Sequence, residues 1–379
     1  MNILFVSRHI FNPIKGGIER VTDLLTKHFI SNHNVYHLCL INEDFGNYKP
    51  IVKTFFFPNE DIYSTENIKY YNNLIEQLKI DILINQYGLA PESKLFLAPN
   101  NCKKISVIHS APLLFFNNYL NYILNSKQGI NKISGILFYP FLKHRFKRIR
   151  KKHYTYIVSN SNATVLLSES YKKQFNCFKS DNVFAINNPT AQYLNNNFDF
   201  TTKKKQVLYV GRLAKTEKTP HYLLYIWKII QQEIFDWELI IVGDGPDRNR
   251  MENIALDLHL KNVSFKGFQN PFQYYESASI FAMTSLNEGF PMVLPEAMSH
   301  YCVPIIYNSF DAASDIITHN VNGVLCKPHD KKNYAKNLIF LMKNTKQREL
   351  LAQEAYRKSL DFSVDNIGNQ WEKLFEKMI

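Results

Sequence analysis

Two carboxylates, Glu288 and Glu296, stand eight positions apart, and a loop changes into a helix between them. An apolar run precedes them, so Glu288 lies in the loop after a strand and Glu296 about one turn into the helix. Carboxylates placed in this way can accept hydrogen bonds from hydroxyl groups at two depths of one extended ligand. A surface loop followed by a capped helix would have the same residue types, so the pair alone leaves both interpretations open.

The start of that helix offers a second kind of chemistry. Pro295 is tolerated in a first turn, where the N–H that it lacks has no partner, so we expect the helix to begin near Pro291 or Met292. Free backbone amides and the helix dipole would then present about half a positive charge to a ligand, which suits a diphosphate. The residues assigned to this end are Gly289, Phe290, Met292 and Val293.

The elements that position these residues follow a repeated pattern. Short apolar runs alternate with helical periodicity, which is typical of parallel sheets covered by helices, and ligands bind at the carboxyl edges of such sheets. Predicted strands cover residues 3–7, 35–40, 82–84, 104–108, 156–159, 164–167, 183–186, 206–210, 238–242, 263–265, 280–283, 303–307 and 323–325. Predicted helices cover residues 17–29, 222–234, 247–258, 291–300 and 365–379.

A segment rich in Asn, Thr and Lys, residues 187–206, separates two periodic regions and predicts a linker. With 379 residues, 45% of them apolar, the chain can form two cores. We therefore expect an α/β fold of two Rossmann-like, doubly wound domains facing across a cleft. The N-terminal domain would cover residues 1–190 and the C-terminal domain residues 206–360, and a last helix in residues 361–379 would pack back on the N-terminal domain.

Composition narrows the class of protein. The formal net charge of +12 permits nucleic acid, an anionic membrane surface or phosphorylated ligands as partners. Five scattered cysteines without a Cys-x-x-Cys pair fit a reducing cytosol and argue against a structural zinc. The first residues lack the basic leader of a signal peptide, and no apolar run reaches the ~20 residues of a spanning helix. We expect a cytoplasmic protein, soluble or peripheral on the inner membrane face.

The segment around the two carboxylates resembles the Glu-x(7)-Glu motif of retaining GT-B glycosyltransferases of glycosyltransferase family 4. Further motifs similar to those of the family follow in order along almost the whole chain, and they are more specific in the second half. They are Lys15-Gly16-Gly17, Val107-Ile108-His109, Gly211-Arg212-Leu213 with Lys218, Gly243-Asp244-Gly245-Pro246, Gly267-Phe268 and Asn322-Gly323.

The resemblance implies roles for the charged residues in transferring a sugar from a nucleoside diphosphate to an acceptor hydroxyl with retained configuration. Arg212 and Lys218 would neutralise the diphosphate as it leaves. Glu288 would bind hydroxyls of the transferred sugar, and Glu296 would bind those of the ribose. The family's lysine precedes a glycine at a slightly shorter spacing, so Lys215 remains an alternative to Lys218.

Three further positions have roles that the resemblance implies. Gly17 would let backbone amides approach the phosphates, backbone groups near Phe268 would contact the base, and His109 would line the sugar and acceptor side. A histidine after a strand can also be purely structural, and a glycine pair can be an ordinary turn. The expected catalytic residues are Glu288, His109, Arg212 and Lys218.

The ligands implied by the resemblance are a nucleotide-sugar and a glycan. UDP is the commonest nucleotide of the family, GDP remains open, and the acceptor is expected to be a lipid-linked or surface-polysaccharide intermediate. No Asp-x-Asp triplet occurs, although enzymes that hold a diphosphate through a metal need closely spaced oxygen ligands. We therefore expect neither a metal nor a cofactor.

Two rival functions fit parts of the sequence. A dinucleotide-dependent sugar oxidoreductase or epimerase would need Gly-x-Gly-x-x-Gly after the first strand, which is missing. Gly243 and Gly245 follow a later strand, and Arg248 occupies the third glycine position. A basic nucleic-acid-binding module would fit the net charge and would bind with a steep salt dependence. We expect no nucleic acid as a partner.

Residues 141–154 interleave basic and apolar side chains at helical spacing. This pattern predicts a helix that lies on an anionic membrane surface. An ordinary solvated helix face is the alternative.

Overall fold

The computed structural model describes residues 1–42, 46, 48–88, 93–111, 129–175, 181–193 and 198–379, and for residues 129–132 and 174–175 the backbone only. These residues divide into two compact units. Unit 1 comprises the described residues within 1–112, 138–190 and 363–379, and unit 2 those within 113–137 and 191–362. Each unit is a parallel sheet covered by helices, which confirms the two Rossmann-like α/β domains expected from the sequence.

Unit 1 contains a parallel sheet with the described strand order β3-β2-β1-β4-β5-β6-β7. Residues 3–6 are fully buried, as expected for a central strand covered on both faces. The strands are β1 (Asn2–Ser7), β2 (Asn34–Cys39), β3 (Thr54–Phe56), β4 (Ile82–Asn85), β5 (Lys103–Ile108), β6 (Ala163–Leu166) and β7 (Val183–Ala185). The helices are α1 (Gly17–Phe29), α2 (Thr65–Gln77), α3 (Ser93–Phe96), α4 (Gly129–Asn160), whose first residues belong to unit 2, and α5 (Glu169–Phe175).

Unit 2 contains a second parallel sheet with the strand order β10-β9-β8-β11-β12-β13. Its strands are β8 (Lys204–Val210), β9 (Glu238–Val242), β10 (Val263–Gly267), β11 (Ala278–Met283), β12 (Val303–Tyr307) and β13 (Val324–Cys326). Its helices are α6 (His221–Ile230), α7 (Arg248–Asp257), α8 (Phe272–Ser277), α9 (Val293–Ser299), α10 (Ala313–Ile316), α11 (Lys331–Lys343) and α12 (Thr345–Ser359).

The C-terminal helix α13 (Val364–Glu376) belongs to unit 1, where it packs against α1. The rings of Phe29 and Phe375 lie 5.3 Å apart. His33, just after α1, bonds through Nε2 to a carboxylate oxygen of Glu372 at 2.8 Å. A Cβ at Gly368 would overlap the ring of His28, so this glycine allows the two helices to approach closely.

One predicted strand is wrong, and one strand and several helices were missed. Residues 156–159 are the end of α4, where Tyr154, Ile157 and Val158 are buried at the helical spacing of three and four residues. A run of β-branched and aromatic residues is common to strands and to buried helix ends, which explains the error. Strand β3 was not predicted, and neither were the helices α2, α3, α5, α8, α10, α11 and α12. The other predicted elements are present, with ends that differ by a few residues.

Candidate functional site

The switch point of the unit-2 sheet lies between β8 and β11, which are neighbours in the sheet although β9 and β10 follow β8 in the chain. The loops that leave the carboxyl ends of these strands carry Lys218 and Glu288. Ligand-binding crevices form at such points in open α/β sheets. Strand order therefore brings together two motifs that are about 70 residues apart in the chain.

Motif glycines hold the loop after β8 against the loop after β9. Gly243 has a φ of +137°, and a Cβ there would overlap the carbonyl oxygen of Gly211. A Cβ at Gly245 would overlap the backbone of Leu213, whose N–H donates to the carbonyl oxygen of Asp244 at 2.9 Å. These glycines permit backbone contact that no other residue allows, and they fix the path of the loop after β8.

Thr219 stands directly after Lys218 and has a φ of +41°, a conformation that glycine adopts far more readily than a β-branched residue. Its hydroxyl donates to the carbonyl oxygen of Thr284, and the hydroxyl of Thr284 donates to the carbonyl oxygen of Thr219 at 2.9 Å. The N–H of Leu286 donates to the carbonyl oxygen of Glu217 at 2.8 Å. These bonds tie the loop after β8 to the loop after β11.

Lys218 and Glu288 form the charged centre of this site. The Nζ atom of Lys218 lies 2.7 Å and 2.6 Å from the two carboxylate oxygens of Glu288. The Glu288 side chain is only 8% exposed, and that of Lys218 is 32% exposed. Burial raises the pKa of the nearby Tyr209 phenol, and the negative charge of Glu288 raises it further. The ammonium can be reached from solvent, whereas the carboxylate is nearly enclosed.

Glu296 lies in the first turn of α9 and is fully buried. Its Oε2 atom accepts a hydrogen bond from the hydroxyl of Tyr275 at 3.3 Å. The second carboxylate of the motif is thus held by a side chain from α8, deeper than Glu288. A carboxylate at 0% exposure is a costly arrangement that a purely structural helix turn would not require.

Helix α9 begins at Val293, later than the predicted start near Pro291 or Met292. The N–H of Leu294 bonds to the carbonyl oxygen of Pro291 at 3.0 Å, so the chain enters the helix through a tighter turn before the regular pattern begins. Of the residues assigned to free amides, Val293 therefore opens the helix. Phe290, Met292 and Gly289 precede it, and the first two are buried.

Arg212, Lys215 and Phe268 are exposed, and the Phe268 side chain is 72% exposed. Among the described residues, Arg212 has no ion pair and no side-chain hydrogen bond. Lys215 is held by its backbone, whose N–H donates to a carboxylate oxygen of Asp247 at 2.7 Å. A positive φ follows Lys218, at Thr219, where the resemblance leads one to expect a glycine, and this favours Lys218 over Lys215 as the second candidate residue of the expected phosphate clamp.

His109 follows β5 in unit 1 and belongs to a chain of hydrogen bonds. The Thr22 hydroxyl donates to the carbonyl oxygen of Ile18 at 2.9 Å, so its oxygen accepts from Nε2 of Gln86, also at 2.9 Å. Oε1 of Gln86 therefore faces Nε2 of His109 at 2.6 Å. Nε2 must carry the proton, which leaves Nδ1 as an acceptor. Burial lowers the pKa of His109 to about 4, so the ring is neutral at pH 7.

Gly17 is the first residue of α1, after the loop that leaves β1 at the switch point of the unit-1 sheet. A Cβ on Gly17 would meet no heavy atom within 4 Å, so packing does not require a glycine here. A Cβ on Gly16 would meet only the carboxylate end of the Glu19 side chain, which can move aside. Packing in the described part of the chain therefore gives no reason for a glycine at position 17.

Sequence reasoning missed several residues of these sites. Gln86 could have been found, because it is a polar residue directly after a buried strand. Thr219 could have been found because it follows Lys218 at the position where the resemblance leads one to expect a glycine. Tyr209, Tyr275 and Thr284 gave no signal, because an apolar strand or helix commonly contains such residues for packing alone.

Among the described residues, no group of three or more His, Cys, Asp and Glu side chains converges as metal ligands would. In the same part of the chain, no helix combines the length and apolar character that a membrane span requires.

Comparison with known proteins adds similarities in sequence and in fold to the geometry of the candidate site. Residues 194–358 match the family model described as Glycosyl transferases group 1. A protein of Haemophilus influenzae named "Uncharacterized glycosyltransferase" is 29% identical over 218 residues, which are 57% of this chain and 61% of that relative. The chain thus spans less than two thirds of that relative's length.

A second relative aligns over almost the full length. It is the Campylobacter jejuni enzyme named as an alpha-1,4-N-acetyl-D-galactosaminyltransferase acting on a diNAcBac-PP-undecaprenol-linked glycan, and it is 26% identical over 370 residues, or 96% of each chain. Among solved structures, a variant of S. aureus TarM in complex with Fondaparinux, alpha-GlcNAc-glycerol and UDP is similar with a TM-score of 0.74 at 15% identity over 99% of each chain. The chain has the GT-B fold.

Proposed function

We propose that this chain is a retaining glycosyltransferase of family 4 that moves a sugar from a nucleoside diphosphate to an acceptor hydroxyl. The observation that carries the proposal is the contact of Lys218 with Glu288 at the sheet switch point, inside the segment that matches the group 1 model. The exposed guanidinium of Arg212 lies on the same loop as Lys218. Two cations and an enclosed carboxylate are the groups needed for a sugar joined to a diphosphate.

In this proposal the reaction breaks the bond between the anomeric carbon and the diphosphate. Arg212 and Lys218 stabilise the charge that develops on the leaving diphosphate. The acceptor oxygen bonds to the anomeric carbon on the face that the diphosphate leaves, and its proton passes to an oxygen of the leaving group. Glu288 accepts hydrogen bonds from hydroxyls of the transferred sugar, and Glu296 accepts those of the ribose.

The remaining residues orient the donor and the acceptor. The neutral ring of His109 accepts a hydrogen bond through Nδ1 from a hydroxyl on the sugar or acceptor side. Gly17 lets the phosphates approach the backbone closely, and the backbone amides around Gly289 and Val293 help to bind the phosphates. The exposed backbone near Phe268 contacts the base. The two cations hold the diphosphate, so no metal and no cofactor are required.

UDP is the nucleotide that we propose, and UDP is present in the TarM structure named above. The proposed acceptor is a lipid-linked glycan or a surface-polysaccharide intermediate, because the Campylobacter jejuni relative is named for a lipid-linked glycan. Such an acceptor would place the protein in the cytoplasm at the inner face of the membrane.

Calorimetric titration with UDP and then GDP in EDTA tests the donor site. We expect UDP to bind without metal and the Glu296→Ala and Glu296→Gln variants to bind at least tenfold more weakly, because each loses a charge-assisted hydrogen bond. Glu233→Ala is the matched control, since Glu233 pairs with Lys343 at the surface beyond the end of α6. Binding of neither nucleotide, or equal loss in the control, would refute the donor site; binding of GDP alone would overturn only the choice of UDP.

A further inference from the structure

Helix α4 is attached to unit 1 along one narrow stripe. From Phe138 onward, its buried side chains are Tyr154, Ile157 and Val158, all near its C-terminal end. Before them, only a row of half-buried residues faces the protein at helical spacing, including Leu142 and Phe146. The opposite side of the helix is exposed over about four turns.

The exposed side carries large apolar residues at one end. Phe138 and Phe141 are each 63% exposed, and Ile149 is 44% exposed. Single exposed apolar residues are ordinary, but two phenylalanines one turn apart on a solvent-facing helix expose a continuous apolar surface. Such surfaces mark sites of interaction with a partner or a membrane.

Basic residues follow on the same side. Phe141, Arg145, Arg148 and Lys152 are spaced by three or four residues, so they lie along one helix face, and all four are exposed. Seven of the ten residues from 143 to 152 are Lys or Arg, and residues 93–168 contain no Asp or Glu. In the described part of the chain, no carboxylate pairs with any of these seven cations.

We propose that the outer face of α4, defined by Phe138, Phe141, Arg145, Arg148 and Lys152, docks on an anionic lipid bilayer. Phenylalanine side chains enter the interface between headgroups and acyl chains, while lysine and arginine side chains remain at the anionic headgroups. A polynucleotide would use the cations but offers no apolar layer for the exposed Phe138 and Phe141 side chains. Docking would bring the protein to the lipid-linked acceptor, and this role of the helix rests on the proposed function. Docking itself requires no sugar transfer.

Sedimentation of the full chain with lipid vesicles tests the docking face. We expect binding to phosphatidylcholine vesicles that contain about 30% phosphatidylglycerol, little binding to phosphatidylcholine alone, and loss of binding between about 0.1 M and about 0.5 M salt. Arg145→Glu/Arg148→Glu/Lys152→Glu should weaken partitioning by about a hundredfold or more. Phe138→Ser/Phe141→Ser should weaken it by about tenfold or more, because the apolar contribution is lost.

A second triple variant provides the matched control. Lys332→Glu/Lys336→Glu/Lys346→Glu changes the net charge equally, but its three exposed lysines lie on α11 and α12 of unit 2. It should retain most of the vesicle binding. Equal loss in both triple variants, or binding of duplex DNA but not of anionic vesicles, overturns the proposal. UDP titration of every variant separates this result from a failure of the donor site, which none of these substitutions touches.

Discussion

The Nζ atom of Lys218 lies within 2.7 Å of both carboxylate oxygens of Glu288, so a residue expected to bind phosphate and a residue expected to bind sugar neutralise each other. The two side chains differ in exposure, with 8% for Glu288 and 32% for Lys218. A diphosphate that approaches from solvent can therefore reach the ammonium first. In the proposed reaction, movement of Lys218 toward phosphate would make the carboxylate available to sugar hydroxyls.

The first prediction concerns the stability of this pair. Lys218→Met leaves a nearly enclosed carboxylate without its cation, and we expect a loss of about 2 kcal/mol in the free energy of unfolding. Glu288→Gln should lower the free energy of unfolding by a smaller amount, because the remaining Lys218 side chain can turn toward solvent. The double variant Lys218→Met/Glu288→Gln should recover at least half of the loss. Urea unfolding of the four proteins gives these values and the coupling between the two residues.

Lys343→Met is the control for this cycle, because Lys343 forms an exposed ion pair with Glu233. Exposed ion pairs contribute little to stability, so we expect the free energy of unfolding to change by about 0.5 kcal/mol or less. If Lys218→Met were no more destabilising than Lys343→Met, the enclosed carboxylate would not depend on its partner.

The second prediction distinguishes the two candidate lysines of the phosphate clamp. Arg212→Ala and Lys218→Met should each weaken UDP binding by about 10-fold to 100-fold, as expected for the loss of a hydrogen bond to a charged group. Lys215→Met should change the affinity by less than about threefold, since its exposed side chain has no fixed place in the site. Calorimetric titration measures all three. A larger effect at Lys215 would transfer the clamp role to that residue.

The sequence was sufficient for the fold because parallel sheets leave a strong pattern. Buried strands such as β9 and β12 are short continuous apolar runs, and their ends were placed correctly. Segment 156–159 was misjudged because a buried helix end has the same composition as a strand. Helix α9 was placed one or two residues early, because a tight turn precedes it and sequence patterns do not reveal such turns.

The site was only partly accessible from the sequence. Glu288, Glu296, Arg212 and Lys218 were assigned to the candidate site because the motifs around them resemble those of a known family. The ion pair between Lys218 and Glu288 depends on strand order, since β8 and β11 become neighbours only in the folded sheet. The hydrogen bonds between Thr219 and Thr284 depend on the same pairing, so no local pattern could have predicted them.

The third prediction separates function from packing at Gly17. Because a Cβ would meet no heavy atom within 4 Å, Gly17→Ala should leave the free energy of unfolding unchanged or raise it by up to about 1 kcal/mol. If phosphate approaches the backbone here, the same variant should lose about tenfold or more in affinity for the nucleotide-sugar. Thermal unfolding and calorimetric titration measure the two effects. A stable variant with unchanged affinity would mean that Gly17 is an ordinary turn residue.

The last prediction concerns the ionisation of His109. Burial lowers its pKa to about 4, and the acceptor Oε1 of Gln86 fixes the proton on Nε2. The folded state therefore binds fewer protons than the unfolded state between pH 6.5 and about 4, so this histidine's contribution to stability falls as the pH decreases through that window and is constant above it. Gln86→Glu places a carboxylate against Nε2–H and should raise the pKa of His109 by about 1 unit or more.

Titration of the histidine ring protons by NMR measures this change directly. His37, whose pKa burial lowers to about 3, bonds to Thr26 rather than to Gln86 and serves as an internal control. Gln86→Leu should leave the His109 pKa low. Because no acceptor remains at Nε2, the proton should no longer be fixed on that nitrogen, and the ring nitrogen chemical shifts should show both tautomers. In the proposed reaction, Gln86→Leu should then raise KM for the nucleotide-sugar more than it lowers kcat, since the ring is still present but no longer presents Nδ1 as an acceptor. Unchanged tautomer and KM in Gln86→Leu would show that Gln86 does not position His109.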